Sequence, residues 1–300
     1  MKLIAPSYYE DFSCIADKCK HSCCIGWEID IDERTDAFYK TVGGELGKRL
    51  ENNIDRSGEV PHFKLACGER CPFLNKNGLC DIISELGEGA LCQICDDHPR
   101  YRNFYADRTE IGLGLCCEAA AELILNSEEK AQLVVLQDGG EEAIETDEEF
   151  FFSMREKIFS IIQNRTVGIN ERIEKLLSEL DLTMPEKTLS EWADDFLTLE
   201  MLDGEWGIML NKIKSKNTMP EFTDEIAAEQ ILYYFIYRHL ADGLYDGRFS
   251  ERVKFAILAL TMIFAAADAC DLPITEAARF YSSEIEYSEE NVEAVLNMLL

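Results

Sequence analysis

The sequence predicts a mainly α, α+β protein: an irregular cysteine-rich metal-binding domain followed by an α-helical bundle domain. Three observations predict it. Eleven of the twelve cysteines fall within the first 117 residues. Apolar side chains recur at helical spacing almost continuously from Glu149 onward. Between the two lies an acid-rich stretch with Gly139-Gly140 at its middle. Domains are therefore expected at 1–126 and 149–300, joined by an acidic linker at 127–148.

Composition narrows the function classes. Three hundred residues with 47% hydrophobic content suffice for a full core. The formal charge of -29 argues against nucleic acid, whose binding is driven by Lys and Arg neutralising phosphates. A basic partner suits it better. The acidity is uneven: residues 1–126 carry 14 Lys+Arg against 22 Asp+Glu, net -8, and residues 127–300 carry 15 against 36, net -21. The N-terminal stretch has no apolar h-region of about 7–15 residues. A cytoplasmic location is expected, where thiols stay reduced and cysteine density points to metal or redox chemistry. The longest apolar run, Phe255 to Ala267, has 13 residues. That is short of the roughly 20 that span a bilayer, so a buried helix and no membrane partner are expected.

Taken in order, residues 1–31 read as irregular, except that Trp27 to Asp32 alternates apolar and acidic like a half-buried strand. Asp32 or Thr35 can cap a helix carrying Phe38, Val42, Leu46 and Leu50, weakened by Gly43-Gly44. Asn77-Gly78 is a turn that brings Cys71 and Cys80 within reach of one ion. A short helix is expected over Ser84–Cys95, stopped before Pro99. Tyr101–Tyr105 and Thr109–Leu115 are expected to pair as a hairpin across Ala106-Asp107, with a helix over Glu118–Leu125. Further helices are expected near 149–163, 169–180, 188–202, 223–242, 250–269, 274–282 and 288–299.

The cysteines fall into three groups: Cys14, Cys19, Cys23 and Cys24; Cys67, Cys71 and Cys80; Cys92, Cys95, Cys116 and Cys117. Soft thiolates select zinc, Fe–S clusters or Cu(I). There is one CxxC, Cys92 to Cys95, and not the paired knuckles of a zinc ribbon. Adjacent cysteines do not readily both meet one tetrahedral ion. Cys23-Cys24 and Cys116-Cys117 therefore imply two sites, or one ligand and one structural thiol each. A radical-type C-x3-C-x2-C would need cysteine at position 26 or 74, which hold Gly26 and Leu74, and a Rossmann G-x-G-x-x-G is absent.

At Cys71-Pro72-Phe73-Leu74, Gly78-Leu79-Cys80-Asp81-Ile82, Leu91-Cys92-x-x-Cys95 and His98-Pro99-Arg100, the sequence is similar to YkgJ-like cysteine-cluster proteins, described as zinc- or iron-chelating. The longer pattern resembles flagellin lysine-N-methylases. It is carried by Cys14-x4-Cys19-x3-Cys23-Cys24-Ile25-Gly26-Trp27, by Leu86-Gly87, and by Leu113-Gly114-Leu115-Cys116 leading into Glu118-Ala119-Ala120, so that it covers residues 10–126. The resemblance implies a [4Fe–4S] protein, with zinc as the alternative metal, that transfers methyl groups from S-adenosylmethionine to lysines of flagellin. It implies metal ligands among Cys14, Cys19, Cys23, Cys24, Cys71, Cys80, Cys92, Cys95 and Cys116. Cys117 stands where the family pattern has proline and reads as a by-stander. The rival expectations are a non-enzymatic metal-binding protein and an Fe–S electron carrier.

Other residues have plainer roles. Cys270 is expected in a helical core, and the stripe Tyr233, Tyr234, Phe235, Tyr237 in helix contacts. His62 and His239 read as structural or solvent-facing, and His98 as either a ligand or a packed ring. Trp27 and Tyr101 are expected to cover the metal site.

Overall fold

The computed structural model describes residues 1–140 and 144–300. In chain order the elements are β1 (Lys2–Pro6), α1 (Glu33–Tyr39), α2 (Gly44–Asn53), β2 (Ile54–Asp55), β3 (His62–Phe63), α3 (Asp81–Leu86), α4 (Gln93–Asp97), β4 (Arg100–Phe104), β5 (Arg108–Leu113), α5 (Glu118–Leu125) and β6 (Leu133–Gln137). Helices follow: α6 (Thr146–Ile162), α7 (Ile169–Glu179), α8 (Leu189–Phe196), α9 (Gly204–Lys216), α10 (Glu225–His239), α11 (Gly243–Asp246), α12 (Phe249–Cys270), α13 (Ile274–Tyr281) and α14 (Glu289–Met298). The chain forms two units, one of Ser13–Arg100 and one of Met1–Phe12 with Tyr101–Leu300. The fold is mainly α with a small mixed sheet.

In the larger unit the sheet runs β4-β5-β1-β6. Strand β1 is parallel to β5 (Ile4 opposite Glu110) and antiparallel to β6 (Ala5 opposite Val134). Two expectations change here. The first residues are a central strand, not irregular, because both pairing partners lie more than 100 positions along the chain and leave no local trace. The acid-rich stretch 127–148 is not only a linker, since its run Leu133-Val134-Val135-Leu136 forms β6. Helical side chains also take its carbonyls: Gln163 donates to Ala131 O at 2.9 Å, and Gln230 to Ser127 O and Glu129 O at 2.9 and 2.8 Å. Residues 141–143 of that stretch lie outside the described residues.

The hairpin β4–β5 and the helix α5 stand where the sequence puts them. All seven expected C-terminal helices do too, within a few residues at most ends. Two more are additional: the four-residue α11, and α9, hidden by Gly204 and Gly207, which lower helix propensity. Its ends are nevertheless well made: the Asp203 carboxylate accepts from Glu205 N, and Asn217 closes the helix in the left-handed region at φ 43°. Helix α12 is buried on all sides from Arg252 to Ala266 and packs on α9, α10, α13 and α14. By length and composition it is apolar enough to cross a membrane, and here it is the axis of the helical core.

One ion pair ties sheet to helices. Glu110 on β5 and Arg155 on α6 are wholly buried and meet through two 2.7 Å hydrogen bonds, Nη1 to Oε2 and Nη2 to Oε1. The guanidinium also lies 5.2–5.6 Å from the ring centres of Phe151, Phe152, Phe159 and Tyr237.

The smaller unit holds its own core, including Ile29, Ile31, Leu50, Phe63 and Phe73. The helix expected to run through Phe38 and Leu50 is two helices. Gly44 at φ 73° breaks it, and Phe38 is left exposed. The helix expected over Ser84–Cys95 is likewise split, by Gly87 at φ 86°. Asp32 caps α1 through Thr35 N (3.0 Å), and its other oxygen accepts from Gln93 N (2.8 Å), the first residue of α4. Burial alone raises that carboxyl's pKa, but the two amides outweigh it and hold it below the usual carboxylate range.

Removing one member of the Glu110–Arg155 pair strands a buried charge. Arg155→Met is expected to destabilise the larger unit by about 3–5 kcal/mol in urea denaturation, and Glu110→Leu/Arg155→Met to recover most of that loss.

Candidate metal centre

Five thiols of the smaller unit gather on its core. Cys71 and Cys92 are buried in it, and Cys24, Cys80 and Cys95 pack against it with Trp27, Leu91 and Ile94. Short backbone devices place them. Cys71 N donates to Cys24 O at 2.8 Å, joining the first group to the second. The Asn77-Gly78 turn forms as expected, with Gly78 at φ 77°, Gly78 N donating to Asn75 O (3.1 Å) and Leu74 bridged to Cys80. Cys80 then stands just before α3, and Cys92 just before α4.

Amide N–H groups point at the sulfurs: those of Phe73 and Leu74 at Cys71, and those of Ile82 and Ile83 at Cys80. Each offers partial positive charge to a thiolate. Cys92 Sγ and Cys95 Sγ are 3.4 Å apart and share a hydrogen bond. That bond holds Cys92 below its ordinary pKa against the effect of burial, while Cys95 is raised by the same bond, by burial and by the charges of Cys92, Cys24 and Cys71. Burial pushes Cys71 up to about 12, with the charges of Cys24 and Cys80 adding to it. Burial likewise raises Cys80. Cys24 is lowered to about 7, first by a hydrogen bond from Cys23 against the effect of burial, and then by Ser22 and Arg70. Five soft donors thus repel one another's negative charge, and a bound cation removes that repulsion. The residues fit a metal.

The remaining expected ligands are not packed on this core. Cys14 and Cys23 are exposed in the smaller unit, though the Cys23 thiol reaches that of Cys24 by a hydrogen bond. Cys14 Sγ accepts from Ala16 N at 3.4 Å, and the Cys19 thiol donates to His21 O at 3.3 Å. Cys67 is exposed. His98 is a packed ring 6.1 Å from Trp27, and burial and then Arg100 push its pKa down to about 4, so it is neutral. Trp27 packs against the same core as the thiols, and its Nε1 donates to Cys23 O.

Cys116 and Cys117 belong to the larger unit. The Cys116 thiol donates to Tyr287 Oη at 2.9 Å, and burial pushes it up to about 12. Arg238 lies 5.5 Å from the Tyr287 ring centre and donates to Tyr234 Oη at 2.6 Å. Tyr234 Oη donates to Glu286 at 3.0 Å and accepts from Leu115 N at 3.2 Å, immediately before Cys116. Glu286 also meets His239 Nε2 at 2.5 Å. Burial pushes Glu286 up, but Arg238 and His239 prevail and hold it below the ordinary value. Sequence reasoning missed this node: it placed Tyr234 in helix contacts and gave Glu286 and Tyr287, between two expected helices, no role. Tyr101, expected as metal-site cover, lies against Gly112, where a Cβ would come within 2.4 Å of its phenol. Gly112 in the Gly112-Leu113-Gly114 stretch therefore makes room for a ring. Cys270, at the end of α12, packs against the helical core as expected.

Flagellar biosynthetic protein FliU of Salmonella muenchen is 31% identical to this chain over 129 residues, which are 40% of this chain and 75% of that protein. The chain belongs to the FliU family. Two proteins named lysine-N-methylase, of Salmonella choleraesuis and Salmonella typhimurium, are each 30% identical to this FliU-family chain over 129 residues. Those residues are 40% of this chain and 32% of each of those proteins. No family model matches the chain, and no solved structure matches it.

The electrostatics can be read out on thiols stripped of metal. With Cys24 lowered to about 7 and Cys71 raised to about 12, alkylation by iodoacetamide is expected to reach half its plateau rate for Cys24 near neutral pH. Cys71 should stay unreactive below pH 9, as followed by peptide mass spectrometry.

Proposed function

We propose that this chain is a protein-lysine N-methyltransferase acting on flagellin, with S-adenosylmethionine as methyl donor and a [4Fe–4S] cluster on the thiols of the Ser13–Arg100 unit. The observation that carries the metal half is the gathering of Cys24, Cys71, Cys80, Cys92 and Cys95 on one small core with amides turned toward the sulfurs. The transfer half is supported by the relatives named lysine-N-methylase, and the flagellar partner by the name of the FliU relative.

The choice of an iron–sulfur cluster over zinc rests on the family resemblance of the cysteine pattern. Four thiolates on one tetrahedral zinc, at Zn–S of about 2.3 Å, lie about 3.8 Å from one another, and Cys92 and Cys95, 3.4 Å apart, are near that spacing. A cubane takes one thiolate per iron, so binding it requires those two side chains to separate. When bound, such a cluster supplies an electron-transfer or Lewis-acid centre.

The substrate amine must be neutral to attack a methyl group, and a solvated lysine has a pKa of about 10.4. An acidic surface attracts lysines yet favours their charged form. Capture and deprotonation therefore belong to different places: charged surface for the first, a desolvated pocket for the second.

A second reading, a zinc- or iron-binding protein or an Fe–S electron carrier without transfer activity, rests on the thiols alone. Two measurements separate the readings. Anaerobically purified protein is expected to contain iron and acid-labile sulfide in about a 1:1 ratio, and Cys71→Ser, Cys80→Ser, Cys92→Ser and Cys95→Ser each to lose both and to unfold the smaller unit more readily. Cys117→Pro and Cys270→Ala should keep them; stoichiometric zinc without iron would replace the cluster by a zinc centre.

With S-adenosylmethionine and flagellin, mass spectrometry should find methyl increments on lysines only, at a rate that falls as salt rises, because the Debye length shrinks from about 10 Å at 0.1 M to about 3 Å at 1 M. No increment with metal-replete protein at any salt would leave the non-enzymatic reading.

A further inference from the structure

The alternation from Trp27 to Asp32 has a second consequence. Ile29 and Ile31 are each 1% exposed, so Glu28 and Asp30 both face outward. Phe63 N donates to Ile29 O at 3.0 Å and Ile31 N to Pro61 O at 2.7 Å, which sets His62 directly opposite Asp30 in an antiparallel bridge. Cross-strand and diagonal neighbours share a face of a sheet. One donor atom from each of Glu28, Asp30 and His62 accordingly lies within 4.8 Å of the other two.

We propose that Glu28, Asp30 and His62 form a second metal site, for a divalent transition-metal ion of the zinc, cobalt or nickel type, separate from the thiols. Two observations beyond proximity support it. Among the described residues neither carboxylate has a Lys or Arg ion pair, and His62 turns its Nε2 toward them, 3.8 Å from Glu28 Oε2. His62 Nδ1 lies 3.3 Å from Val60 O, outside the triad. A metal-bound imidazole characteristically donates its other N–H to a carbonyl, which leaves Nε2 as the ligating atom.

Imidazole and carboxylate donors differ from thiolates in softness, so the two centres prefer different ions. Bond lengths of about 2.0–2.2 Å need donors roughly 3.4 Å apart, a contraction that the exposed carboxylate side chains supply by rotating. Three protein ligands leave at least one coordination position for water or an oxygen-donor ligand.

The test is an anaerobic Co²⁺ titration of the protein as purified. One equivalent is expected to bind with visible d–d absorption and no thiolate-to-cobalt charge-transfer band. Glu28→Gln and His62→Asn should each weaken that binding by about tenfold or more while leaving iron, sulfide and circular dichroism unchanged, and Asp30→Asn should behave alike. Unchanged cobalt uptake by the Glu28→Gln/His62→Asn double variant would overturn the site. If the thiols hold no metal, cobalt will also fill them and show the charge-transfer band. The component lost in His62→Asn still reports this site alone.

Discussion

Burial of thiols, with their mutual repulsion added to it, is the constraint that dominates the smaller unit. Cys24, Cys71, Cys80, Cys92 and Cys95 sit close enough that the charge on one opposes ionisation of others, and burial penalises every thiolate among them. Without a cation the unit resolves this by keeping protons, as Cys71 and Cys95 do. With a cation, the same burial becomes a source of affinity, because metal binding and folding draw on one free energy. A unit of short helices and two-residue strands has a small core, and such cores ordinarily rely on a metal or covalent staple.

The larger unit solves its burial problem differently. Its charges are paired inside the fold: Glu110 with Arg155 between sheet and helix, and Glu286 with Arg238 and His239 beside Cys116. In the second group Arg238 and His239 end α10, and Glu286 lies on the turn Ser282–Glu286, which winds with π-helical geometry after α13. Wider turns of this kind place side chains that a regular helix would direct elsewhere. Tyr234 joins the parts, since its hydroxyl is held by Arg238 and Glu286 while it accepts the amide of Leu115. The chain segment entering Cys116 is thereby held by the C-terminal helices.

Surface charge and site chemistry are distinct levers. Most of the excess negative charge lies after residue 126, whereas all the candidate metal donors lie before it. Attraction of a basic partner and construction of a metal centre therefore make separate demands on the chain, and substitutions can alter one without the other.

By itself the sequence determined whatever rests on short-range pattern. The cysteine groups, the Asn77-Gly78 turn, the β4–β5 hairpin, the capped start of α1 and nearly every C-terminal helix were legible, because turns, caps and helical periodicity act within a few residues. Tertiary structure alone decided what depends on distant partners. Strand β1 pairs with segments more than 100 positions away, β6 hides in an acid-rich stretch, and α9 forms against its glycines because it packs on α8 and α12. Which thiols share a core was likewise a tertiary matter: spacing nominated nine cysteines, and the fold packs Cys24, Cys71, Cys80, Cys92 and Cys95 onto the core of the smaller unit. The outward face of Glu28 and Asp30 was readable from alternation, but the histidine opposite them, 32 positions past Asp30, was placed there only by backbone pairing.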